Sequence, residues 1–278
     1  MLPNNPLTQY FRQPAIYIRL PSGGKFYPPN TLNMPANGEL PVLPMTSVDE
    51  ITYRTPDALF NGTATVNVIK SCVPSIRDPW AMPAADLDAV LVGIRIASYG
   101  HAMDLDVTCP ACNTDESVSI DLRVVNDNLK IGDYDKSLNI GDLEFWFRPL
   151  SYKIVNNNNQ MQMEQQQAMR VLNSDADDQT KIDQLTRSMA LINETTLISI
   201  AQSISAIKTP QALVGETEFI VDYLRNCESK IFNQLRDYII EIKQHSDVQP
   251  LEMHCKECNH QYQQPFTLDL SSFFADAS

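Results

Sequence analysis

Residues 254–270 read HCKECNHQYQQPFTLDL, and residues 105–122 read LDVTCPACNTDESVSIDL. Each stretch sets a Cys-x-x-Cys-Asn turn between alternating apolar flanks. Leu105 and Val107 lead into Cys109-Pro110-Ala111-Cys112, and Leu251 and Met253 lead into Cys255-Lys256-Glu257-Cys258. The closing runs Ile120-Asp121-Leu122 and Leu268-Asp269-Leu270 also match, the second copy being two residues longer after its turn. Apolar alternation with period two marks a strand. The chain therefore holds an internal repeat of strand, turn and strand, with 142 residues between the two cysteine turns.

A Cys-x-x-Cys turn lets two sulfurs converge on one ion at about 2.3 Å, and two such turns complete a tetrahedron. Cys109, Cys112, Cys255 and Cys258 are accordingly the candidate metal ligands, expected to close a zinc ribbon around one structural Zn2+. Iron or an iron–sulfur cluster takes the same four thiolates, so ligand type alone leaves that alternative open. A thioredoxin-like redox motif is one Cys-x-x-Cys at the start of a helix, and neither copy precedes a helical pattern. His101, His254 and His260 lie near the turns, but with four sulfurs available they are expected at the surface. Cys72 has no partner at ligand spacing, and Cys227 falls on an apolar helical stripe and is expected in a core.

The rest of the chain changes character in blocks. Residues 1–45 read as an extended proline-rich arm, in which Ile16, Ile18 and Leu20 alternate before the turn Pro21-Ser22-Gly23-Gly24. Such an arm can add a strand to another subunit's sheet edge, which makes Ile16, Ile18, Leu20, Phe26 and Tyr27 the candidate partner-contact residues. Residues 46–100 read as a helical cluster: Thr46 with Asp49 forms a capping box, Thr55-Pro56 is a second helix start, and Pro83 with Asp86 opens a helix that stops at Gly100. Residues 101–150 and 248–278 are the two parts of a discontinuous ribbon-like β region, with Leu143, Phe145 and Phe147 as one of its strands. Residues 151–247 are expected to be a helical insertion starting near 159. It carries apolar stripes through Leu197, Ala201 and Ile204 and through Ile220, Leu224, Ile231, Leu235 and Ile242. The expected fold class is α+β, a small helical cluster and a discontinuous four-cysteine zinc-ribbon-like β region with a long helical insertion. The terminal Phe273-Phe274 pair is expected to bury locally or to anchor a neighbour.

Composition narrows the function. The 278 residues are 43% hydrophobic and 20% charged, which suits a globular core rather than disorder. A net charge of −13 argues against a broad nucleic-acid surface, and Asp104, Asp106, Asp115, Glu116, Asp121 and Glu257 beside the turns would repel phosphate. The chain has neither a signal-peptide pattern at its start nor an apolar run of membrane-spanning length, so a cytosolic product with reduced cysteines is expected. Gly23-Gly24-Lys25 lacks the remaining residues of a phosphate loop, and no metalloprotease, nucleophile-elbow or dinucleotide motif is present. A closed four-cysteine site leaves no position for water and points to architecture rather than catalysis. The competing reading is a metal-dependent hydrolase or transferase with one open zinc position.

One ordered series of residues reaches a known family. Leu20-Pro21-Ser22-Gly23-Gly24-Lys25-Phe26-Tyr27 is followed by Leu43-Pro44-Met45-Thr46 with Asp49-Glu50, then Leu59-Phe60-Asn61-Gly62 and Ile69 to Cys72. Asp86, Ile94-Arg95-Ile96, Ser98-Tyr99-Gly100 and Cys109-Pro110-x-Cys112 complete it. The series resembles the T4-like bacteriophage baseplate hub protein family, most specifically over residues 16–122. The resemblance implies a non-enzymatic hub subunit or hub assembly factor of a contractile tail. It also implies partners among other hub or wedge proteins, no small-molecule substrate, and residence in the virion baseplate or in the host cytoplasm during assembly.

Overall fold

The computed structural model describes residues 5–53, 62–172, 178–246 and 250–264, with the side chains of 164–185 left aside. In chain order its elements begin with strands β1 (Ile16–Ile18) and β2 (Leu40–Val42) and helices α1 (Ser47–Tyr53), α2 (Thr63–Cys72) and α3 (Ala84–Tyr99). Strands β3 (Ala102–Thr108) and β4 (Asp115–Asp121), helix α4 (Leu122–Asn128), and strands β5 (Leu138–Ile140) and β6 (Leu143–Phe147) follow. Then come helices α5 (Tyr152–Leu172) and α6 (Asp178–Ser203), strands β7 (Ile204–Lys208) and β8 (Leu213–Val214), helices α7 (Thr217–Asn226) and α8 (Ser229–Gln244), and strands β9 (Leu251–His254) and β10 (Gln261–Gln264). This mixture of helix and sheet makes the protein α+β, as the sequence indicates. It falls into two discontinuous units, one of Met1–Pro79, Asp86–Leu129 and Asp247–Ser278, the other of Trp80–Ala85 and Lys130–Ser246.

In the first unit α3 is the hub of the core. Every residue from Ala89 to Arg95 is buried, so its apolar surface runs nearly all the way round. Helix α2 supplies Val66, Val68, Ile69 and Cys72 to that interior. The stretch read as an extended arm is folded here instead. Strand β1 pairs antiparallel with β2, Ile18 facing Leu40, and Ile18, Leu20, Leu40 and Val42 are all buried. Ile18 and Leu20 are thereby unavailable to a partner; the alternation that suggested an added strand is satisfied inside the protein. Gly93 lets β1 approach α3: a Cβ there would sit 2.9 Å from Ile18 Cγ2.

Two polar clusters hold this segment in place. Arg12 donates to the Ser71 carbonyl at 2.8 Å, to Ser71 Oγ at 2.6 Å, to Asp49 Oδ2 at 3.2 Å and to the Pro44 carbonyl. Asp49 also accepts from the Thr46 backbone N–H at 2.8 Å and the Thr46 hydroxyl at 2.7 Å, the capping box that starts α1. Burial works to raise the Asp49 pKa, but the bonds from Thr46, Ser71 and Arg12 outweigh it and hold the carboxyl below the usual range. At the other end of the segment, Asp86 in the first turn of α3 is fully buried and accepts from the Ser22 N–H at 2.8 Å, the Ser22 hydroxyl at 2.5 Å and the Tyr27 hydroxyl at 3.1 Å. Burial pushes both Asp86 and Tyr27 upward. Pro-Ser-Gly-Gly-Lys-Phe-Tyr is thus the turn that brings Ser22 and Tyr27 to one carboxylate. Three of its residues are left-handed: Gly23 and Gly24, with φ of 62° and 82°, where glycine is the easy choice, and Phe26, with φ of 68°.

The second unit is built on the antiparallel sheet β5-β6-β7-β8. Ile220 and Leu224 of α7, Leu235 and Ile242 of α8, and Ile200 and Ala201 of α6 pack with Phe145, Phe147, Ile204 and Ile207 of the sheet in one core. Three expectations change here. Residues 138–147 were grouped with the ribbon, yet β6 pairs with β7, Phe145 facing Ile207. Strand β7 itself lies in a stretch read as helical, because Leu197, Ala201 and Ile204 share a helical spacing while the chain turns from α6 into β7 at Ser203–Ile204. Helix α5 starts at Tyr152 rather than near 159. Tyr152 is buried and stacked on Trp80 with centroids 5.3 Å apart, and Asn158 donates to Ser199 Oγ at 2.9 Å, so packing carries the polar Asn156–Asn159 run into the helix. The expected features at Thr55-Pro56, Leu268–Leu270 and Phe273-Phe274 lie outside the described residues.

The contact of Gly93 with β1 makes a sign-changing prediction. Gly93→Ala gains about 0.5–1 kcal/mol of helix propensity but overpacks Ile18, a cost of about 1–3 kcal/mol, so the single substitution is expected to lower the urea midpoint. In an Ile18→Ala background the obstructing methyls are gone and Gly93→Ala is expected to raise it. Equal effects in both backgrounds would contradict this packing.

Candidate metal centre

The two cysteine turns fold alike. The first joins β3 to β4, with Thr108 facing Asp115, and the second joins β9 to β10, with His254 facing Gln261. The residues between those pairs, 109–114 and 255–260, are six in each copy. Asn113 N–H donates to the Cys109 carbonyl at 2.9 Å and Asn259 N–H to the Cys255 carbonyl at 3.0 Å. Cys109 N–H donates to the Thr114 carbonyl, and Cys255 N–H to the His260 carbonyl, both at 3.0 Å. The asparagine after each second cysteine is left-handed, with φ of 56° at Asn113 and 55° at Asn259. Apart from glycine, asparagine is among the residues that best tolerate this conformation, which explains the shared Cys-x-x-Cys-Asn pattern.

The turns bring their sulfurs together. Cys109 Sγ lies 3.7 Å from Cys258 Sγ, and Cys112 Sγ lies 3.6 Å from Cys255 Sγ. All four Sγ atoms are within 4.8 Å of one another. A tetrahedron with metal–sulfur bonds of about 2.3 Å has edges of roughly 3.8 Å, close to the two cross-turn distances of 3.7 and 3.6 Å. The four cysteines are free thiols. In each turn the first cysteine is buried and the second exposed, a second sign of the repeat's symmetry. This four-sulfur set could bind a metal ion, and it is the sole cluster of three or more such side chains among the described residues.

The surroundings are not symmetrical. The Thr114 hydroxyl lies 3.3 Å from Cys112 Sγ, and its hydroxyl and N–H bonds to the sulfur pull the Cys112 thiol down to about 6. The Cys258 N–H draws the Cys255 thiol the same way, but desolvation and the neighbouring sulfurs of Cys258 and Cys112 prevail and push it up to about 12. Glu116 spans the two copies: its Oε1 accepts from the Lys256 N–H at 2.9 Å and from the Cys255 thiol at 3.6 Å. Sequence reasoning counted Glu116 only as a negative charge. The repeat offset of 146 residues, however, makes Tyr262 the counterpart of Glu116, each the second residue of its closing strand, and both are half-buried.

His101, His254 and His260 are all exposed, as expected of residues outside the ligand set. Cys227 packs half-buried against the core of the second unit, and Cys72 is buried in the first. Of the candidate partner-contact residues, Ile16 and Tyr27 are half-buried, Phe26 is 37% exposed, and Ile18 and Leu20 are in the core. Besides Phe26, the exposed large apolar side chains of this segment are Leu7, Tyr10, Phe11 and Tyr17.

Paired cysteine turns at the ends of antiparallel hairpins define a protein with four thiols gathered at a possible metal site, and no helix among the described residues is long and apolar enough to cross a membrane. A family model described as T4 bacteriophage base plate protein matches residues 48–275, and the chain belongs to that family. No curated protein and no solved structure matches it.

The left-handed asparagines supply a test. Asn113→Val forces a β-branched residue into that conformation and is expected to cost about 1–2 kcal/mol of stability, while Asn113→Gly holds or slightly improves it. Urea unfolding of both variants checks this, and a valine variant as stable as the native protein would contradict the turn geometry.

Proposed function

We propose that this chain is a structural or assembly component of the baseplate hub of a contractile-tailed bacteriophage, acting through contacts with other hub or wedge proteins, with one structural Zn2+ held by Cys109, Cys112, Cys255 and Cys258. The observation that carries the functional reading is the family match over residues 48–275, which places the chain among baseplate proteins. The donor set supports the structural role of the metal. Four sulfurs fill a tetrahedron and leave no ligand position for water or substrate.

Zinc suits the site for a second reason. Cys112 and Cys258 are exposed, and a redox-inactive ion keeps thiolates at the surface from serving as an electron entry point. When bound, the ion would supply cross-linking energy on the order of 10 kcal/mol at neutral pH. A two-stranded hairpin is marginal by itself, so two hairpins of this size need such a tie. The role is architectural, and the protein works in the tail baseplate or on the way to it.

Two measurements test the reading separately. Elemental analysis of the purified protein is expected to find one zinc per chain, with Cys112→Ser and Cys258→Ser each losing it; iron in its place, or full retention in both variants, would contradict the metal assignment. Phages whose copy of this chain is disrupted are expected to accumulate tails without complete baseplates, restored by the native chain in trans. Normal particles without it would contradict the baseplate role whatever the metal content.

A further inference from the structure

We infer that the second unit takes up an extended, basic segment of a partner protein as an added strand along β5, in the groove between β5 and α8. The inference goes beyond the metal centre, which belongs to the other unit, and rests on the baseplate reading only for the partner's being a tail protein.

Strand β5 is the outermost strand of the sheet on its side, in the order β5-β6-β7-β8. It joins β6 through the two-residue turn Gly141-Asp142, with Ile140 facing Leu143 and Asn139 facing Glu144. In an antiparallel hairpin closed by two residues, the pair flanking the turn exchanges hydrogen bonds and the next pair does not. The N–H and C=O of Asn139 therefore point away from β6, and the Asn139 side chain is exposed. An outward strand edge of this kind is a template for one more strand.

A groove of about 680 Å³ lies against that edge, between Leu138–Gly141 and one face of α8. Leu138, Ile140, Ile231 and Tyr238 line it with half-buried apolar surface continuous with the core. Glu228, Asp237 and Glu241 line it with carboxylates, against the single ammonium of Lys230. Arg236 bonds Asp237 at 2.8 Å, so the surplus negative charge rests on Glu228 and Glu241. An edge strand facing a helix across an apolar-floored groove is the arrangement by which peptide-binding domains add a strand: backbone bonds give affinity, and alternate side chains reach the floor. The carboxylates select lysine or arginine at the outward positions, and in a chain of net charge −13 they disfavour a second copy of itself.

The experiment uses the full chain and a fluorescein-labelled peptide of alternating lysine and valine, with its glutamate–valine counterpart as control, read by anisotropy. The native protein is expected to bind the basic peptide in a salt-dependent manner and to ignore the acidic one. Asn139→Pro removes the outward N–H from an edge position where proline is tolerated, and is expected to weaken binding about tenfold or more. Glu228→Lys with Glu241→Lys, which leaves the backbone alone, is expected to weaken it by a similar factor. Absence of binding by the native protein, equal binding of the acidic peptide, or affinities within about twofold of native in the charge-reversed variant would overturn the inference. Dimerisation of the chain abolished by Asn139→Pro would make the occupant a second copy and overturn it as well.

Discussion

Four sulfurs meeting within 4.8 Å, drawn from turns 146 residues apart, are the constraint on which the architecture depends. Each turn belongs to a hairpin of two strands, and each hairpin by itself is too small to be stable. Brought together, they set the chain's late residues against the Asp86–Leu129 part of the first unit. The second unit can sit in the middle of the sequence because its own ends are tied. Gly132 N–H donates to Ser246 Oγ at 2.7 Å, and Gly132 has no side chain where a Cβ would stand 2.3 Å from the Ile242 carbonyl oxygen.

The parts of this arrangement written locally in the sequence were legible. The Cys-x-x-Cys-Asn repeat announced both turns, and the structure adds that asparagine is there for its backbone. The Thr46–Asp49 capping box and the helix from Ala84 to Tyr99 follow from side chains within a few residues of one another. What was not legible depends on partners far along the chain. Strand β7 hides because its isoleucines continue a helical spacing, and only pairing with β6 decides the matter. Arg12 carried no local signal, yet it reaches residues 32 to 60 positions away. Glu116 looked like one acid among several until the second turn was brought beside it.

The amino-terminal segment shows how the same residues can support opposite readings. Alternating Ile16, Ile18 and Leu20 suit an added strand in any sheet, and the absence of a side chain at Gly93 decides in favour of the protein's own core. With Ile18 and Leu20 committed inside, Leu7, Tyr10, Phe11 and Tyr17 are exposed on the segment that Arg12 anchors to Ser71. The Ser22 and Tyr27 bonds to Asp86 close the other end. Defined surfaces on a folded frame suit a structural component of the baseplate, the family to which the chain belongs.

X-ray absorption at the zinc edge of the purified full chain tests the central claim most directly. The account predicts a first shell of four sulfurs at about 2.3 Å with no nitrogen or oxygen scatterer. A shell containing two sulfurs and lighter atoms would mean that the two turns do not share an ion, and the cross-tied frame would be contradicted.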